Sequence, residues 1–130
     1  MNKLLVVDDE EEIQDFLREF FANRGYSVVT AGNKEEACKV LLEEKPLVVL
    51  LDIRMRGARD GLEILEWIKG ENLKVKIIMV TGIENQEVIQ EAMRKGADDY
   101  ITKPLSLEYL ETRVAQKIAA FMNDSHSESR

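Results

Sequence analysis

The chain has one cysteine and no apolar run of the roughly 20 residues that crossing a bilayer requires. Cys38 has no second cysteine to pair with, so an internal disulfide is excluded and a reducing compartment is indicated. The N-terminus runs from Met1 through Asn2 and Lys3 into a short apolar stretch that two aspartates end, unlike a secretory leader. We therefore expect a cytoplasmic protein with no membrane segment.

Positive charge is also scarce relative to negative charge. The 130 residues include 18 Lys and Arg against 25 Asp and Glu, which gives a formal net charge of -7. Direct nucleic-acid binding by this chain is disfavoured, because it depends on cationic groups that neutralise phosphates. The hydrophobic fraction of 45% suits one globular domain. We assign that domain to residues 1–122 and expect residues 123–130 to form a flexible tail or the start of a linker.

Short apolar runs alternate with amphipathic stretches along the whole chain. The apolar runs have strand length and little polar alternation, as in parallel strands covered on both faces; they cover residues 4–7, 28–30, 47–51, 75–80 and 99–101. The amphipathic stretches have helical spacing and cover residues 11–24, 34–44, 62–69, 85–95 and 107–122. Five strand-helix units predict an α/β fold with a doubly wound parallel sheet.

Residues that begin and end helices agree with this division. Two pairs have the spacing of a capping box, namely Asn33 with Glu36 and Asp60 with Glu63. Three glycines follow predicted helices where C-terminal caps with positive φ are common, namely Gly25, Gly70 and Gly96.

Polar side chains follow four of the five predicted strands. Because the carboxyl ends of parallel strands meet at one edge, these residues should converge there: Asp8, Asp9, Asp52, Thr81, Gly82, Lys103 and Pro104. Each has an ordinary structural explanation when taken alone. The aspartates after the first strand favour a helix start, and a lone lysine is usually solvated. The combination at four strand ends favours a site.

The chemistry of this set indicates phosphoryl transfer with a divalent cation. Three close carboxylates repel one another unless a cation lies among them, and hard oxygen ligands suit Mg²⁺, with Mn²⁺ as a substitute. Asp52 can attack phosphorus, Lys103 can neutralise phosphoryl oxygens, and the Thr81 hydroxyl can donate a hydrogen bond to one of them.

With these residues in place, the sequence resembles the receiver domain of two-component response regulators over roughly residues 2–122. The matching pieces are LLVVDDE at 4–10, VVLLDIRM at 48–55, IIMVTG at 77–82 and GADDYITKPL at 96–105. The resemblance implies a flavodoxin-like sheet with strand order 2-1-3-4-5.

The resemblance also implies roles for individual residues. Asp52 would be the phosphoacceptor, and Mg²⁺ would be held by Asp8, Asp9, Asp52 and the backbone carbonyl of Arg54. Lys103 would bridge to Asp52, and its bond to Pro104 would be cis. Thr81 and Tyr100 would act as switch residues.

The family further implies partners. The phosphoryl donor would be a sensor histidine kinase or a phosphotransfer protein, and the switch would change how the chain binds a downstream protein or output domain. The responding face would comprise residues 85–95, 99–101 and 107–118, through which two copies of the chain could also pair.

Two departures from the family pattern concern the neighbourhood of Asp52. Arg56 stands where a proline is usual, and the loop before Asp60 and Gly61 is one residue longer. In this family the side chains two positions after the phosphoacceptor and two after the threonine influence attacking water, and the resemblance assigns these positions to Arg54 and Ile83. Because an apolar side chain cannot orient water, our hypothesis is slow loss of the phosphoryl group.

Three other functions fit parts of the sequence. A Mg²⁺-dependent aspartyl-phosphate phosphatase would carry a second acid two residues after the nucleophile, where this chain has Arg54. A flavin-binding module would need hydroxyls and glycines after the first strand, where this chain is acidic. A receiver-like module that binds proteins without phosphorylation is the remaining alternative.

Overall fold

A computed structural model describes residues 2–82 and 86–128. Its elements follow the order strand, helix, five times over. The strands are β1 (Lys3–Val7), β2 (Ser27–Ala31), β3 (Val48–Asp52), β4 (Lys76–Thr81) and β5 (Asp99–Thr102). The first four helices are α1 (Glu11–Ala22), α2 (Lys34–Glu44), α3 (Asp60–Gly70) and α4 (Gln86–Arg94). The last, α5, runs through three successive segments: Leu107–Tyr109, a π-helical stretch Leu110–Val114, and Ala115–Glu128.

The five strands form one parallel sheet in the order β2-β1-β3-β4-β5. This confirms the predicted fold class and strand order. Parallel neighbours require crossover helices, and these leave the carboxyl ends of all strands at one edge. The chain order reverses next to β1, so the ends of β1 and β3 lie side by side there.

Two hydrophobic cores cover the faces of the sheet. Alternate residues of β3 point to opposite sides, so Val49 and Leu51 pack beneath α2 and α3, whereas Val48 and Leu50 pack beneath α1 and α5. This explains why the central strands lack polar alternation: both faces are buried. The cores hold the strand ends in fixed register, and that register positions the polar edge.

The helix ends agree with the predictions only in part. Asn33 accepts a hydrogen bond from the Glu36 N–H at 2.9 Å, which confirms that N-cap, although the Glu36 carboxylate binds the Gly32 N–H. The capping box at Asp60 is wrong, because α3 has no side-chain cap at Arg59 and the Asp60 carboxylate accepts instead from Gly57.

The predictions for the three glycines are also confirmed only in part. Positive φ is confirmed at Gly25 and Gly96, but Gly70 is the last residue of α3 and positive φ falls on Asn72 instead. Helix α5 continues to Glu128, past the predicted end at residue 122. The division into a domain and a tail or linker stays a prediction. In the described part of the chain, no helix is long and apolar enough to cross a membrane.

Candidate functional site

The polar residues selected from the sequence occupy the carboxyl edge of the sheet. Asp52 is the last residue of β3 and Thr81 the last of β4. Asp8 follows β1 directly, and Lys103 follows β5. Their positions follow from the parallel topology, which ends each strand at the same level.

One lysine joins two buried carboxylates in this site. Lys103 Nζ lies 3.2 Å from Asp52 Oδ2 and 3.5 Å from Asp8 Oδ2. Asp52 is only 4% exposed and Asp8 only 3% exposed. The Lys103 backbone N–H donates to the Thr81 carbonyl at 2.8 Å. The bond from Lys103 to Pro104 is cis, as the resemblance implied.

Burial acts on the pKa values of Asp52 and Lys103 in opposite directions. Burial raises the pKa of Asp52 to about 7; the positive charge of Lys103 opposes this rise and the negative charge of Asp8 adds to it. Burial alone would lower the pKa of Lys103, but Asp52 and Asp8 raise it above its usual value. A single ammonium therefore does not balance the negative charge of the site.

The donor set fits a hard divalent cation. Oxygens of Asp8, Asp9 and Glu10 all lie within 4.8 Å of one another, and Asp9 and Glu10 are exposed on the same loop. Carboxylate oxygens beside an excess of buried negative charge are what Mg²⁺ or Mn²⁺ binds. The Arg54 N–H donates to Asp52 Oδ1 at 3.3 Å, and its carbonyl stays a predicted ligand.

The two predicted switch residues lie in different surroundings. Thr81 is 3% exposed at the end of β4, where its hydroxyl donates to the Gly82 carbonyl at 3.4 Å. Tyr100 is 41% exposed and lines a groove between α4 and β5 together with Met93. The structure thus places Thr81 at the same sheet edge as Asp52 and leaves Tyr100 on the outer face. Ile83 lies outside the described residues, so the hypothesis about phosphoryl lifetime stays a prediction.

The loop after β3 is held by hydrogen bonds between its own residues. The Met55 and Asp60 N–H groups both donate to the Gly57 carbonyl at 3.3 Å, and the Gly57 N–H donates to the Asp60 carboxylate at 2.9 Å. At the end of this loop the Arg59 guanidinium pairs with Glu91 of α4. Before this turn, the Arg54 N–H donates to Asp52 Oδ1, and the extra residue in the loop stays a prediction.

Comparison with known proteins agrees with this geometry. A family profile described as the response regulator receiver domain matches residues 4–115, which is most of the chain. The chain belongs to the response regulator receiver family. The receiver is 37% identical over 108 residues to the probable C4-dicarboxylate response regulator DctR of Bacillus subtilis, with 82% of this chain and 47% of that protein covered.

Two further relatives support the assignment. The alkaline phosphatase synthesis transcriptional regulatory protein PhoP of Bacillus subtilis is 38% identical over 112 residues, covering 86% of this receiver and 46% of that protein. The crystal structure of the receiver domain of NtrX from Brucella abortus is 34% identical with a TM-score of 0.78, covering 88% and 96% of the two chains. This receiver spans less than half the length of both curated relatives.

Sequence reasoning missed two residues that shape the site. Glu10 belongs to the acidic group but was not among the residues selected from the sequence, although its position beside Asp9 was a signal for a ligand. Gly61 packs against the backbone of Asp52 and Ile53 and donates its N–H to the Ile53 carbonyl. Its place at the start of α3 gave no sign of that contact.

The raised pKa of Asp52 predicts that Asp52→Asn stabilises the receiver in metal-free buffer above about pH 7. An unfolded aspartate has a pKa near 3.9. Because the folded pKa is higher, the native state binds the proton more tightly, and Asp52 costs stability as pH rises from about 4 to about 7. The variant should gain roughly 1–3 kcal/mol at about pH 8 and almost nothing at about pH 4.

Urea unfolding of the parent and Asp52→Asn in a chelator, at both pH values, measures this difference. Asp15→Asn serves as the control, because the Asp15 side chain is 71% exposed and should show no such growth with pH. Equal stability of the parent and Asp52→Asn at the higher pH would contradict the assignment of a destabilising buried charge.

Proposed function

We propose that this receiver accepts one phosphoryl group on Asp52 from a sensor histidine kinase or a phosphotransfer protein. The observation that carries the proposal is the buried Asp52 carboxylate at the end of β3, paired with Lys103 and adjacent to Asp8. A structural carboxylate at this position would be expected to have its charge balanced. Here two buried carboxylates, Asp52 and Asp8, share one lysine, next to an exposed acidic loop.

Asp52, Lys103 and Thr81 have separate roles in the proposed phosphoryl transfer. An Asp52 oxygen attacks phosphorus, the bond from phosphorus to the donor atom breaks, and the donor leaves with that electron pair. Lys103, whose Nζ lies 3.2 Å from Asp52 Oδ2, would neutralise the transferred oxygens. The buried Thr81, on the neighbouring strand, would donate a hydrogen bond from its hydroxyl to one of these oxygens.

A divalent cation completes the charge balance of the proposal. Asp8, Asp9, Asp52 and the Arg54 carbonyl would hold Mg²⁺, or Mn²⁺ in its place. When bound, the cation supplies positive charge that favours ionised Asp52 and offsets charge on the phosphoryl oxygens. Asp8 links the ion pair to the proposed cation site, since its carboxylate contacts Lys103 and also belongs to the acidic group.

The face formed by α4, β5 and α5 is the proposed output surface. It presents Tyr100 and Met93, two large side chains that are about two-fifths exposed. Phosphorylation would shift the population between two arrangements of this face and change its affinity for a downstream protein, an output domain or a second copy of the receiver. Direct nucleic-acid binding by this chain is not part of the proposal, because of its net charge of -7.

The chain is a signalling domain, and its own phosphorylation and slow dephosphorylation are the chemistry we propose for it. A phosphatase acting on other molecules is less well supported, because the position of the second acid is occupied by Arg54, whose exposed side chain is basic. A module that binds partners without phosphorylation would not require the paired Asp52 and Lys103.

The proposal is tested with acetyl phosphate as the donor. The receiver should gain the mass of one phosphoryl group in Mg²⁺ and none in a chelator, as measured by intact mass spectrometry. Repeated release of inorganic phosphate from small phosphate esters would favour the phosphatase. A folded receiver that binds Mg²⁺ and gains no mass would favour the phosphorylation-independent module.

A further inference from the structure

Side chains accept hydrogen bonds from the backbone along the outer edge of β5. Among the described residues, β5 pairs with β4 alone, so the N–H groups that point away from β4 find their acceptors in side chains or water. The Lys103 N–H points toward β4, because it donates to the Thr81 carbonyl. N–H directions alternate along a strand, so the N–H groups of Thr102 and Tyr100 point to the open edge.

Both outward N–H groups have identified acceptors. The Tyr100 N–H donates to its neighbour's carboxylate, Asp99 Oδ1, at 2.8 Å, and Lys117 of α5 holds the other oxygen of Asp99 at 2.7 Å. The Thr102 N–H donates to the hydroxyl oxygen of Tyr109 at 3.2 Å. Helix α5 therefore fastens the edge strand at two points, and the second point immediately precedes Lys103.

Tyr109 is itself fixed at both ends. Its backbone N–H donates to Ser106 Oγ at 3.1 Å, in the cap that starts α5. Its half-buried ring reaches back to β5 and packs against the core beneath α1 and α5. A hydroxyl held in this way fixes the backbone of Thr102, and with it the point from which the Lys103 side chain extends toward Asp52.

We propose that Tyr109 is a positioning residue for phosphoryl transfer, acting through Lys103. The inference rests on the proposed function. A lysine side chain has a flexible four-carbon stem, so the direction of its ammonium depends on where its backbone is anchored. The Tyr109 hydroxyl and the Thr81 carbonyl hold the backbone at adjacent residues and on opposite sides of β5.

The test is Tyr109→Phe, which removes the hydroxyl and keeps the ring. Phosphorylation by acetyl phosphate at saturating Mg²⁺ should slow by about threefold to tenfold, the range expected for the loss of one hydrogen bond. The Mg²⁺ concentration that gives half the maximal rate should not rise, because a displaced Lys103 ammonium competes less with the cation for the oxygens of Asp8 and Asp52. Tyr26→Phe is the matched control: the Tyr26 ring packs against Phe21, and its rate should equal that of the parent.

The outcomes separate this inference from the proposed function. Parent and Tyr109→Phe rates that are equal would overturn the positioning role while leaving Asp52 as phosphoacceptor. A slower rate accompanied by a higher Mg²⁺ concentration for half the maximal rate would also overturn the positioning role, because this result would indicate general loosening of the site. A parent that takes up no phosphoryl group would overturn the proposed function and this inference together.

Discussion

Asp52→Ala is expected to abolish uptake of the phosphoryl group from acetyl phosphate. The variant lacks the carboxylate oxygen that attacks phosphorus, and no other side chain at the end of β3 replaces it. Exposed carboxylates could react with the donor only without catalysis, because they lack the contact that Asp52 makes with Lys103 at 3.2 Å. Intact mass after incubation with Mg²⁺ and the donor should show one added group on the parent and none on the variant.

Asp15→Ala is the control for removal of an aspartate that is remote from the site. It pairs with Arg18 on α1 and should leave phosphorylation unchanged. Peptide mapping of the parent should place the group on the segment that contains Asp52. An Asp52→Ala variant that still gains the group would move the phosphoacceptor to another residue and remove the central assignment of the site.

Gly61→Ala is expected to destabilise the receiver by about 3 kcal/mol and to lower Tm by roughly 10 °C. A Cβ at this position would lie 2.6 Å from Ile53 Cα and 2.9 Å from the Asp52 carbonyl carbon, distances that Cβ atoms do not adopt. Both neighbours are backbone atoms of a central strand and the loop that follows it, so they cannot move aside cheaply. Thermal unfolding followed by circular dichroism measures the effect.

Gly70→Ala is the matched control on the same helix. A Cβ there would meet nothing within 4 Å, and alanine is the better helix former, so the change should be neutral or stabilising by up to about 1 kcal/mol. If Gly61→Ala melted within about 2 °C of the parent, α3 would have to be able to withdraw from Asp52 at little cost. Such freedom would contradict the rigid placement of the site.

Hydrophobic pattern was sufficient to predict the strands and helices. β3 is buried on both faces, and its run of Val and Leu residues predicted that directly. Helix ends were less predictable, because one sequence spacing has several possible hydrogen-bond outcomes. Asn33 caps α2 as expected, whereas Asp60 uses its carboxylate on Gly57 within the preceding loop. The cap at Ser106 was missed entirely.

The candidate site was predictable to the extent that it depends on strand ends. Asp8, Asp52, Thr81 and Lys103 could be assigned to one edge because a parallel sheet places all its carboxyl ends there. Contacts between side chains that are remote in sequence were not predictable in the same way. The bond between the Tyr109 hydroxyl and Thr102 depends on how α5 packs against the edge strand.

The sequence by itself determined the residue types, the alternation of strands and helices, and therefore the edge at which the acidic and basic groups meet. Tertiary structure decided how far each group is removed from water and which partner it has. Burial beneath the packed helices raises the pKa of Asp52, and the register of β5 sets Lys103 between Asp52 and Asp8. Desolvation and distance depend on the packing of the whole chain, and no local pattern of residues encodes them.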